Sequence, residues 1–397
     1  MIRGRRLEVA CALVAFVVYA AFSGPMLLGQ SQAPHFVHQA AGFLQGTLSI
    51  PGEPPNLNDW VLHDGRWYSS FPAFPAVLMM PFVAIHGLAF NDVFFTVCLA
   101  ALNVGLMAAF LRGLRDDGQH DRSDGLIAGL AALFAFGTVH FYSSIRGEVW
   151  FTAHVIGVGL LLVYLLASLR ARSPLMAGLA LGCAATTRAS LIYAAPFFLF
   201  EALSEDGRWP TFRELRTRRR TLLRFAVPVA GILALHFAMN EARFGDWREF
   251  GHALLHNNRV NDRVRQWGLF HPHYLAGNLR SALLLLPKVQ WSPFKLGFDG
   301  HGMSLLLTTP IFAWCLWPAV RARSSVALVV TAFLVALPGL FYMNNGWYQF
   351  GYRFSNDFSP LLFGLIAIGG RPFGRAFWFA GAVGVAVCTW GAVVFGR

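Results

Sequence analysis

Apolar runs of about 20 residues recur along the whole chain, and no other feature restricts its fold as strongly. Such a run crosses the roughly 30 Å hydrocarbon core of a bilayer as a helix, because in lipid the backbone must satisfy its own hydrogen bonds. Charged residues make up only 13% of the 397 positions, whereas soluble domains have about 25%. The sequence predicts an all-α, polytopic transmembrane helical bundle that forms a single integral membrane domain over residues 1–397.

About eleven spans are predicted, within a range of ten to twelve. Their approximate bounds are 7–28, 92–111, 125–141, 150–169, 175–187, 190–203, 223–240, 302–320, 325–342, 357–370 and 376–395. Residues 71–90 contain Pro72, Pro75 and Pro81, so we expect a re-entrant or surface-lying segment there and not a further span. The first apolar run is expected to be a retained helix, because many spans follow it.

The arginines predict the orientation of the bundle. Three arginines precede the first span, and five later connectors are also rich in arginine. The connectors contain Arg112, Arg115 and Arg122; Arg170 and Arg172; seven arginines from Arg208 to Arg224; Arg321 and Arg323; and Arg371 and Arg375. Because cytoplasmic loops collect Lys and Arg, the N-terminus and these connectors are expected in the cytoplasm. The outer face would then hold loops at about 30–70 and 241–301, with short surface helices.

Charge, cysteines and histidines exclude several functions. The formal charge of +12 lies largely in the short connectors, so we predict no nucleic-acid partner. All five cysteines lie in apolar runs without C-x-x-C spacing, as expected for small buried residues. His35 and His38 are three positions apart, and His252 and His256 are four apart, as on one helix face. No third ligand follows at a diagnostic distance, so neither a metal site nor a cofactor is predicted.

The first outer loop combines carboxylates with aromatic residues. Asp59 and Asp64 lie in this loop, and their neighbours are Trp60, Arg66, Trp67 and Tyr68. Sugar rings stack on aromatic side chains, and a carboxylate can accept a hydroxyl proton, so both acids are candidate general bases. The alternative is that both acids only cap turns, as Asp commonly does.

Three arginines lie at or near the outer ends of predicted spans, namely Arg146, Arg188 and Arg353. An arginine at the centre of a spanning helix costs about 2.5–3.5 kcal/mol, so one at membrane depth needs a partner. A lipid-linked phosphate is suitable, because guanidinium binds phosphate through two parallel hydrogen bonds. The alternative is snorkelling to ordinary headgroups or pairing with Glu148 or Asp357, and for Arg146 we favour this alternative.

Four motifs follow one another in order over residues 1–370. They are an aromatic residue followed by Ala-x-x-Leu-x-Gly within 36–46, a proline-rich segment at 71–78, Gly-Leu-x-x-Gly-x-x-x-x-Thr-Arg at 178–188, and Gly-aromatic-x-x-x-Gly-x-Arg-x-x-x-Asp at 346–357. In this order they resemble the polytopic glycosyltransferases of the GT-C fold, of the family 39 type, which use polyprenyl-phosphate-linked sugars. Each motif is weak alone, and the resemblance depends on their shared order.

The resemblance implies a GT-C-like bundle in a bacterial inner membrane. It would transfer a hexose or pentose from a polyprenyl-phosphate-linked donor to an acceptor hydroxyl at the outer face, with membrane lipids as the other partners. Arg188, Arg353 and Arg146 would bind the donor phosphate. The sugar or acceptor would contact Trp60, Arg66, Trp67, Tyr68, Trp150, His154, Trp347, Gln349 and Asp357.

One departure from the family concerns the base. The family places a catalytic carboxylate just after the first span, whereas residues 29–35 here contain none. Asp59 or Asp64 takes this role, or His35 is the base, or transfer activity has been lost. Two other functions therefore stay open: a transporter of lipids or lipid-linked sugars, and a non-catalytic assembly protein. A transporter usually has polar groups at interrupted helices in two matching halves, and the sequence has no such repeat.

Overall fold

A computed structural model describes residues 6–204, 212–256 and 258–395 of the chain, which are mostly helical. The α-helices, numbered in chain order, are α1 (Arg6–Ser23), α2 (His35–Leu44), α3 (Phe74–His86), α4 (Asp92–Asp116), α5 (Asp124–Phe136), α6 (His140–Ser144), α7 (Val149–Ser168), α8 (Pro174–Ala185), α9 (Ala195–Leu203), α10 (Phe212–Thr217), α11 (Arg219–Phe244), α12 (Asn258–Trp267), α13 (Leu275–Leu283), α14 (Leu305–Thr308), α15 (Ser325–Phe341), α16 (Ser359–Ile368) and α17 (Arg375–Val394). Short 3-10 helices cover Gly24–Leu28, Gly87–Ala89, Leu169–Ala171, Ala189–Ala194, Pro272–Tyr274, Pro310–Leu316 and Arg353–Asp357. Of the arginines that predicted orientation, Arg3, Arg5 and Arg208 lie outside the described residues.

Five helical segments in the described ranges are long and apolar enough to cross a membrane. They are Arg6–Leu28, Asp92–Asp116, Val149–Ala171, Arg219–Phe244 and Arg375–Val394. Six shorter apolar helices are Phe74–Ala89, Asp124–Phe136, Pro174–Ala185, Ala189–Leu203, Ser325–Phe341 and Ser359–Ile368. The prediction of a largely helical chain with helices able to span a bilayer is confirmed. The count of eleven spans and the GT-C-like arrangement stay predictions.

The predicted spans lie on helical segments, but two of them are interrupted by non-helical residues: 125–141 covers α5 and the start of α6, and 302–320 is also divided. Residues 302–320 form the one-turn helix α14 and then the 3-10 helix Pro310–Leu316. Thr309 between them has an extended φ of −142°, and Pro310 has no backbone N–H to continue a helical hydrogen-bond pattern. In the segment 71–90, α3 has 13 residues and rises about 20 Å, less than the thickness of the hydrocarbon core.

Two β-hairpins modify the expected all-α fold. Strands β1 (Trp60–His63) and β2 (Arg66–Ser69) pair antiparallel, as do β3 (Lys288–Trp291) and β4 (Phe294–Gly297). Both hairpins lie in the predicted outer loops. The first turn consists of Asp64 and Gly65, whose φ angles are 48° and 71°. Two consecutive positive φ angles match the type I′ turn that an Asp-Gly pair favours in two-residue hairpins.

The glycines of the third sequence motif allow two helices to approach closely. A Cβ at Gly178 would lie 2.2 Å from the carbonyl oxygen of Phe225, and one at Gly182 would lie 2.8 Å from Ile232. Helices α8 and α11 therefore pack backbone to backbone, as small residues permit in membrane bundles. This packing fixes the C-terminal end of α8, after which the chain continues to Arg188.

Four of the five arginine-rich connectors meet at one end of the bundle, which we call the arginine end and define by residues 117–123, 169–173, 317–324 and 369–374. The buried carboxylate of Asp117 accepts hydrogen bonds from Arg170, from Arg172 at 3.3 Å and from Arg323 at 2.6 Å. Arg323 also pairs with Glu201 at 2.7 Å. These contacts join α4, α9, α15 and the connector between α7 and α8 into one ion-pair network.

Replacement of Asp117 by alanine is expected to destabilise the bundle. Loss of one partner from a buried ion pair usually costs about 3–5 kcal/mol. Because Arg170 and Arg172 are half exposed and can be rehydrated, we expect a loss near the lower limit, about 3 kcal/mol. The matched control is Asp116→Ala, which removes a neighbouring exposed carboxylate and should cost no more than about 1 kcal/mol. Thermal unfolding in detergent measures the stability of both variants. Equal losses of stability would contradict a stabilising role of the ion-pair network.

Candidate functional site

A cavity of about 260 Å³ lies among helix ends and the predicted outer loops. Six separated stretches of the chain line it, within residues 59–72, 150–154, 187–190, 250–270, 335–344 and 353–358, and two of them carry arginines of the sequence motifs. The lining residues used below are Asp59, Ser70, Phe71, Trp150, His154, Thr187, Arg188, Ser190, Phe250, His252, Phe270, Val335, Gly339, Tyr342, Asn344, Arg353, Phe354 and Asp357. Side chains of the first outer loop and of the motif at 346–357 therefore line the same cavity.

The cavity and the arginine end lie at opposite ends of the same helices. Helix α7 contributes Trp150 and His154 to the cavity from its first turns, and just after its last turn Arg170 contacts Asp117. Helix α15 begins beside the arginine end, and its C-terminal half, including Gly339, lines the cavity. The two sites are therefore separated by the length of these helices.

Asp59 is held in place by contacts to its backbone and to one side-chain oxygen. It has a φ of 60°, and Ser70 Oγ donates to its carbonyl oxygen at 3.0 Å. The indole Nε1 of Trp150 donates to Oδ2 of Asp59 at 2.8 Å. No hydrogen bond from residues 6–204, 212–256 or 258–395 engages Oδ1, so this oxygen can accept a proton from a ligand.

His35 supports the Asp59 segment from behind and does not line the cavity. Its Nε2 donates to the carbonyl oxygen of Asn58 at 2.9 Å, and its ring stacks on Trp60 with the centroids 4.0 Å apart. Burial lowers the pKa of His35 to about 4, so the ring is neutral at physiological pH. Both His35 and Trp60 are fully buried. Neither residue lines the cavity. The prediction of His35 as a base and of Trp60 as a sugar contact therefore has no support in the geometry.

Arg188 is paired with Asp357. Its Nε donates to Oδ1 of Asp357 at 2.6 Å, and His154 Nδ1 lies 3.1 Å from the same oxygen. Ser190 Oγ donates to Oδ2 at 2.7 Å. Both carboxylate oxygens are thus engaged by protein groups. Asp357 therefore positions Arg188. Because both carboxylate oxygens of Asp357 already accept hydrogen bonds from the protein, neither is left free for the predicted contact with a sugar.

Arg353 is a buried cation that faces the cavity without an acidic partner. Within the described part of the chain, its guanidinium forms no hydrogen bond and no carboxylate lies within ion-pair distance. The guanidinium groups of Arg353 and Arg188 lie 5.8 Å and 5.4 Å from the ring centroid of Phe354. Burial lowers the pKa of Arg353 to about 10, so it stays charged at neutral pH. Two cations thus flank one ring, and of the two only Arg188 forms an ion pair within the described chain.

The third predicted phosphate ligand, Arg146, is engaged elsewhere. It donates to both carboxylate oxygens of Glu148, at 3.1 Å and 2.5 Å, and to the carbonyl oxygen of Phe395 at 2.9 Å. It does not line the cavity. The pairing with Glu148 that the sequence offered as the alternative is the arrangement found here.

Several other predicted residues also lie away from the cavity. Asp64 is 88% exposed at the hairpin turn, and Arg66 follows it on the exposed side. Trp67 and Tyr68 pack on His256 and Phe244. Asp64 thus has the turn role that the sequence allowed.

The two remaining predicted residues, Trp347 and Gln349, lie in the motif at 346–357, in the turn before Arg353. Trp347 is exposed and its ring contacts His301. Gln349 is fully buried and donates to the carbonyl oxygens of His301 and Asn345, at 2.8 Å and 2.6 Å. Its Oε1 accepts from the backbone N–H of Arg353 at 2.9 Å. Gln349 therefore orders the turn that precedes Arg353.

The structure also adds residues that the sequence did not single out for the cavity, including Ser190, Tyr342 and Asn344. His252 was considered only as half of a metal-binding pair with His256. The two lie in an irregular turn and not on one helix face. No cluster of three or more potential metal ligands occurs among the described residues. Its position two residues after the Thr-Arg motif was the only available signal for Ser190.

This chain matches no protein-family model, no curated protein and no solved structure. The GT-C resemblance therefore stays a prediction that depends on the sequence motifs.

Proposed function

We propose that this protein is a membrane glycosyltransferase of the GT-C type, with eleven spans, that uses a polyprenyl-phosphate-linked sugar. The observation that carries the proposal is the buried Arg353 guanidinium, which faces a cavity without an acidic partner. A buried charge of this kind is costly unless a ligand neutralises it. A phosphate suits the site, because it accepts bidentate hydrogen bonds from guanidinium.

The position of the cavity supports a lipid-linked donor. With the arginine end in the cytoplasm, as the distribution of basic residues favours, the cavity lies near the headgroups of the outer leaflet. In a bacterial inner membrane the donor would reach it by diffusion within that leaflet. Apolar side chains of α15, including Val335, line one wall of the cavity and suit the lipid portion.

The proposed chemistry is a single displacement. The acceptor hydroxyl attacks the anomeric carbon while the free oxygen of Asp59 takes its proton. The bond from the anomeric carbon to the phosphate oxygen breaks, and its electron pair leaves with polyprenyl phosphate. Arg353 and Arg188 stabilise the charge that develops on this leaving group. One displacement inverts the anomeric centre, and the phosphate leaves without an added proton.

The remaining cavity residues orient these groups. The hydrogen bond from Trp150 fixes one oxygen of Asp59, and the other oxygen has no hydrogen-bond partner among the described residues. Asp357 holds Arg188 by its Nε, so the two terminal nitrogens of that guanidinium remain available for phosphate. Aromatic side chains of the outer loops, among them Phe71 and Phe250, provide faces on which a sugar ring can stack.

A transfer assay tests the proposal. Purified protein in sealed vesicles is supplied with polyprenyl-phosphate hexoses and pentoses labelled in the sugar, together with a membrane extract as the source of acceptor. We expect release of polyprenyl phosphate and a new, inverted glycosidic bond. Movement of intact donor across the vesicle wall without a new bond would establish the transporter instead. If neither sugar transfer nor movement of the donor is detected, the proposal is overturned and the non-catalytic assembly protein is the remaining candidate.

A further inference from the structure

The β3–β4 hairpin has one apolar face that is exposed in the described structure. Directly opposed residues of an antiparallel pair share a face, and here Val289 is opposite Leu296 and Trp291 is opposite Phe294. All four apolar side chains therefore project from one side. The other side carries Lys288, Gln290 and Lys295.

This apolar face is open to its surroundings. Trp291 and Phe294 are 79% and 67% exposed, and Val289 and Leu296 are also exposed. The ring contact between Trp291 and Phe294 is made within the hairpin. Two further exposed leucines, Leu284 and Leu286, lie in the chain just before the hairpin. Contiguous apolar surface rimmed by polar residues marks a site of interaction with a protein or a membrane.

The base of the hairpin is fixed to the cavity end of the bundle. Lys288 Nζ pairs with Asp299 at 2.8 Å, and the backbone N–H of Ser304 donates to the carbonyl oxygen of Leu285 at 2.8 Å. The backbone N–H of Gln349 donates to Gly300 at 3.1 Å. These contacts fix the base of the hairpin, so that its exposed tip lies on the same side of the molecule as the turn that precedes Arg353.

The charged side chains of the hairpin and of the segment before it are all basic, and one of them, Lys288, is paired with Asp299. Residues 275–297 contain Arg280, Lys288 and Lys295 and no acidic residue. Lys288 and Lys295 are moreover the chain's only lysines. Trp and Phe with flanking cations are typical of segments that lie at the boundary of headgroups and acyl chains. Cations near the surface are attracted to anionic lipids.

We infer that the β3–β4 hairpin docks its apolar face on the bilayer surface at the cavity end, among anionic headgroups. The amphipathic register, the exposed aromatic tip and the basic residues Arg280 and Lys295 all favour lipid as the occupant. The inference requires that the bundle is embedded in a membrane, and it is independent of sugar transfer.

The two lysines allow a direct test. In a Lys288→Arg variant, an amine-reactive, environment-sensitive dye labels Lys295 and the α-amine, and a Lys288→Arg, Lys295→Arg variant measures the α-amine background. The labelled protein is placed in nanodiscs that contain phosphatidylglycerol and headgroup-nitroxide lipid. Because docked segments lie within about 10 Å of the headgroups, we expect quenching of about twofold or more above background.

The matched control adds Trp291→Ser and Phe294→Ser to the labelled variant. Both side chains are exposed, so the thermal unfolding temperature should not change. Loss of the excess quenching in this control supports docking through the apolar face. Equal quenching with and without the two substitutions would overturn the inference, because the dye itself would then be binding lipid. Absence of quenching in the parent, or amine cross-links between two copies at Lys295, would also overturn it.

Discussion

Replacement of Asp59 by asparagine is expected to lower kcat for sugar transfer by about 10²–10⁴-fold, the usual contribution of a general base. Asparagine has the same shape, and its amide oxygen can still accept the hydrogen bond from Trp150 Nε1. The backbone of Asp59 has a positive φ, which asparagine tolerates. The variant therefore removes the proton acceptor and preserves the local structure.

The sequence provides a matched control in Asp64→Asn. Asp64 belongs to the same outer loop and also has a positive φ, but it lies at an exposed turn away from the cavity. We expect transfer at the rate of the unaltered protein. The measurement is the initial rate with saturating donor. Comparable rates for Asp59→Asn and Asp64→Asn would refute Asp59 as the base, and a selective loss in Asp64→Asn would transfer the role to the hairpin turn.

Replacement of Arg353 by alanine is expected to weaken donor binding by about 10²–10⁴-fold. Hydrogen bonds to charged groups contribute about 1.5–3 kcal/mol each, and a guanidinium can supply two to one phosphate, which together give about 3–6 kcal/mol. Binding of a labelled polyprenyl phosphate measures this loss without any turnover. Arg353→Lys should recover part of the affinity, because it keeps the charge and loses the second hydrogen bond.

The expected stability of the Arg353→Ala variant separates a binding role from a structural one. Arg353 neutralises no carboxylate at ion-pair distance in the part of the chain described. Its removal leaves no orphaned partner, so the thermal unfolding temperature should not fall. The control Arg248→Ala removes an exposed arginine of an outer loop and should change neither property. A large loss of stability in Arg353→Ala, with donor binding unchanged, would contradict the phosphate site.

Helix positions were predictable from the sequence because lipid imposes a simple local rule. The predicted span 150–169 corresponds closely to α7, Val149–Ser168. The interruption at Thr309 was not predicted, because a run of apolar residues does not distinguish a continuous helix from two short ones. The first hairpin had a local signal in Asp64-Gly65, but the aromatic residues around it were interpreted as a ligand surface.

The sequence singled out some of the residues that line the cavity, but not how they pair. Asp59, Trp150, Arg188 and Arg353 line it, whereas Asp64, Arg146 and Trp67 lie elsewhere. Trp150, Arg188 and Arg353 lie at or near helix ends, and Asp59 belongs to the first outer loop. Which arginine is neutralised depends on a contact between Arg188 and Asp357 across 169 positions of sequence. No local pattern specifies such a contact.

The ion-pair network around Asp117 has a consequence for how substrates would come and go. It ties four parts of the bundle together at the end remote from the cavity, and separating them would expose buried charges at a cost of several kcal/mol. A mechanism that opens alternately toward both compartments must separate the helices at each end in turn. If the proposed function holds, donor and spent carrier would therefore enter and leave through the same opening. The polyprenyl phosphate released by transfer would stay in the leaflet from which it was taken, and its return to the other leaflet would require a different protein.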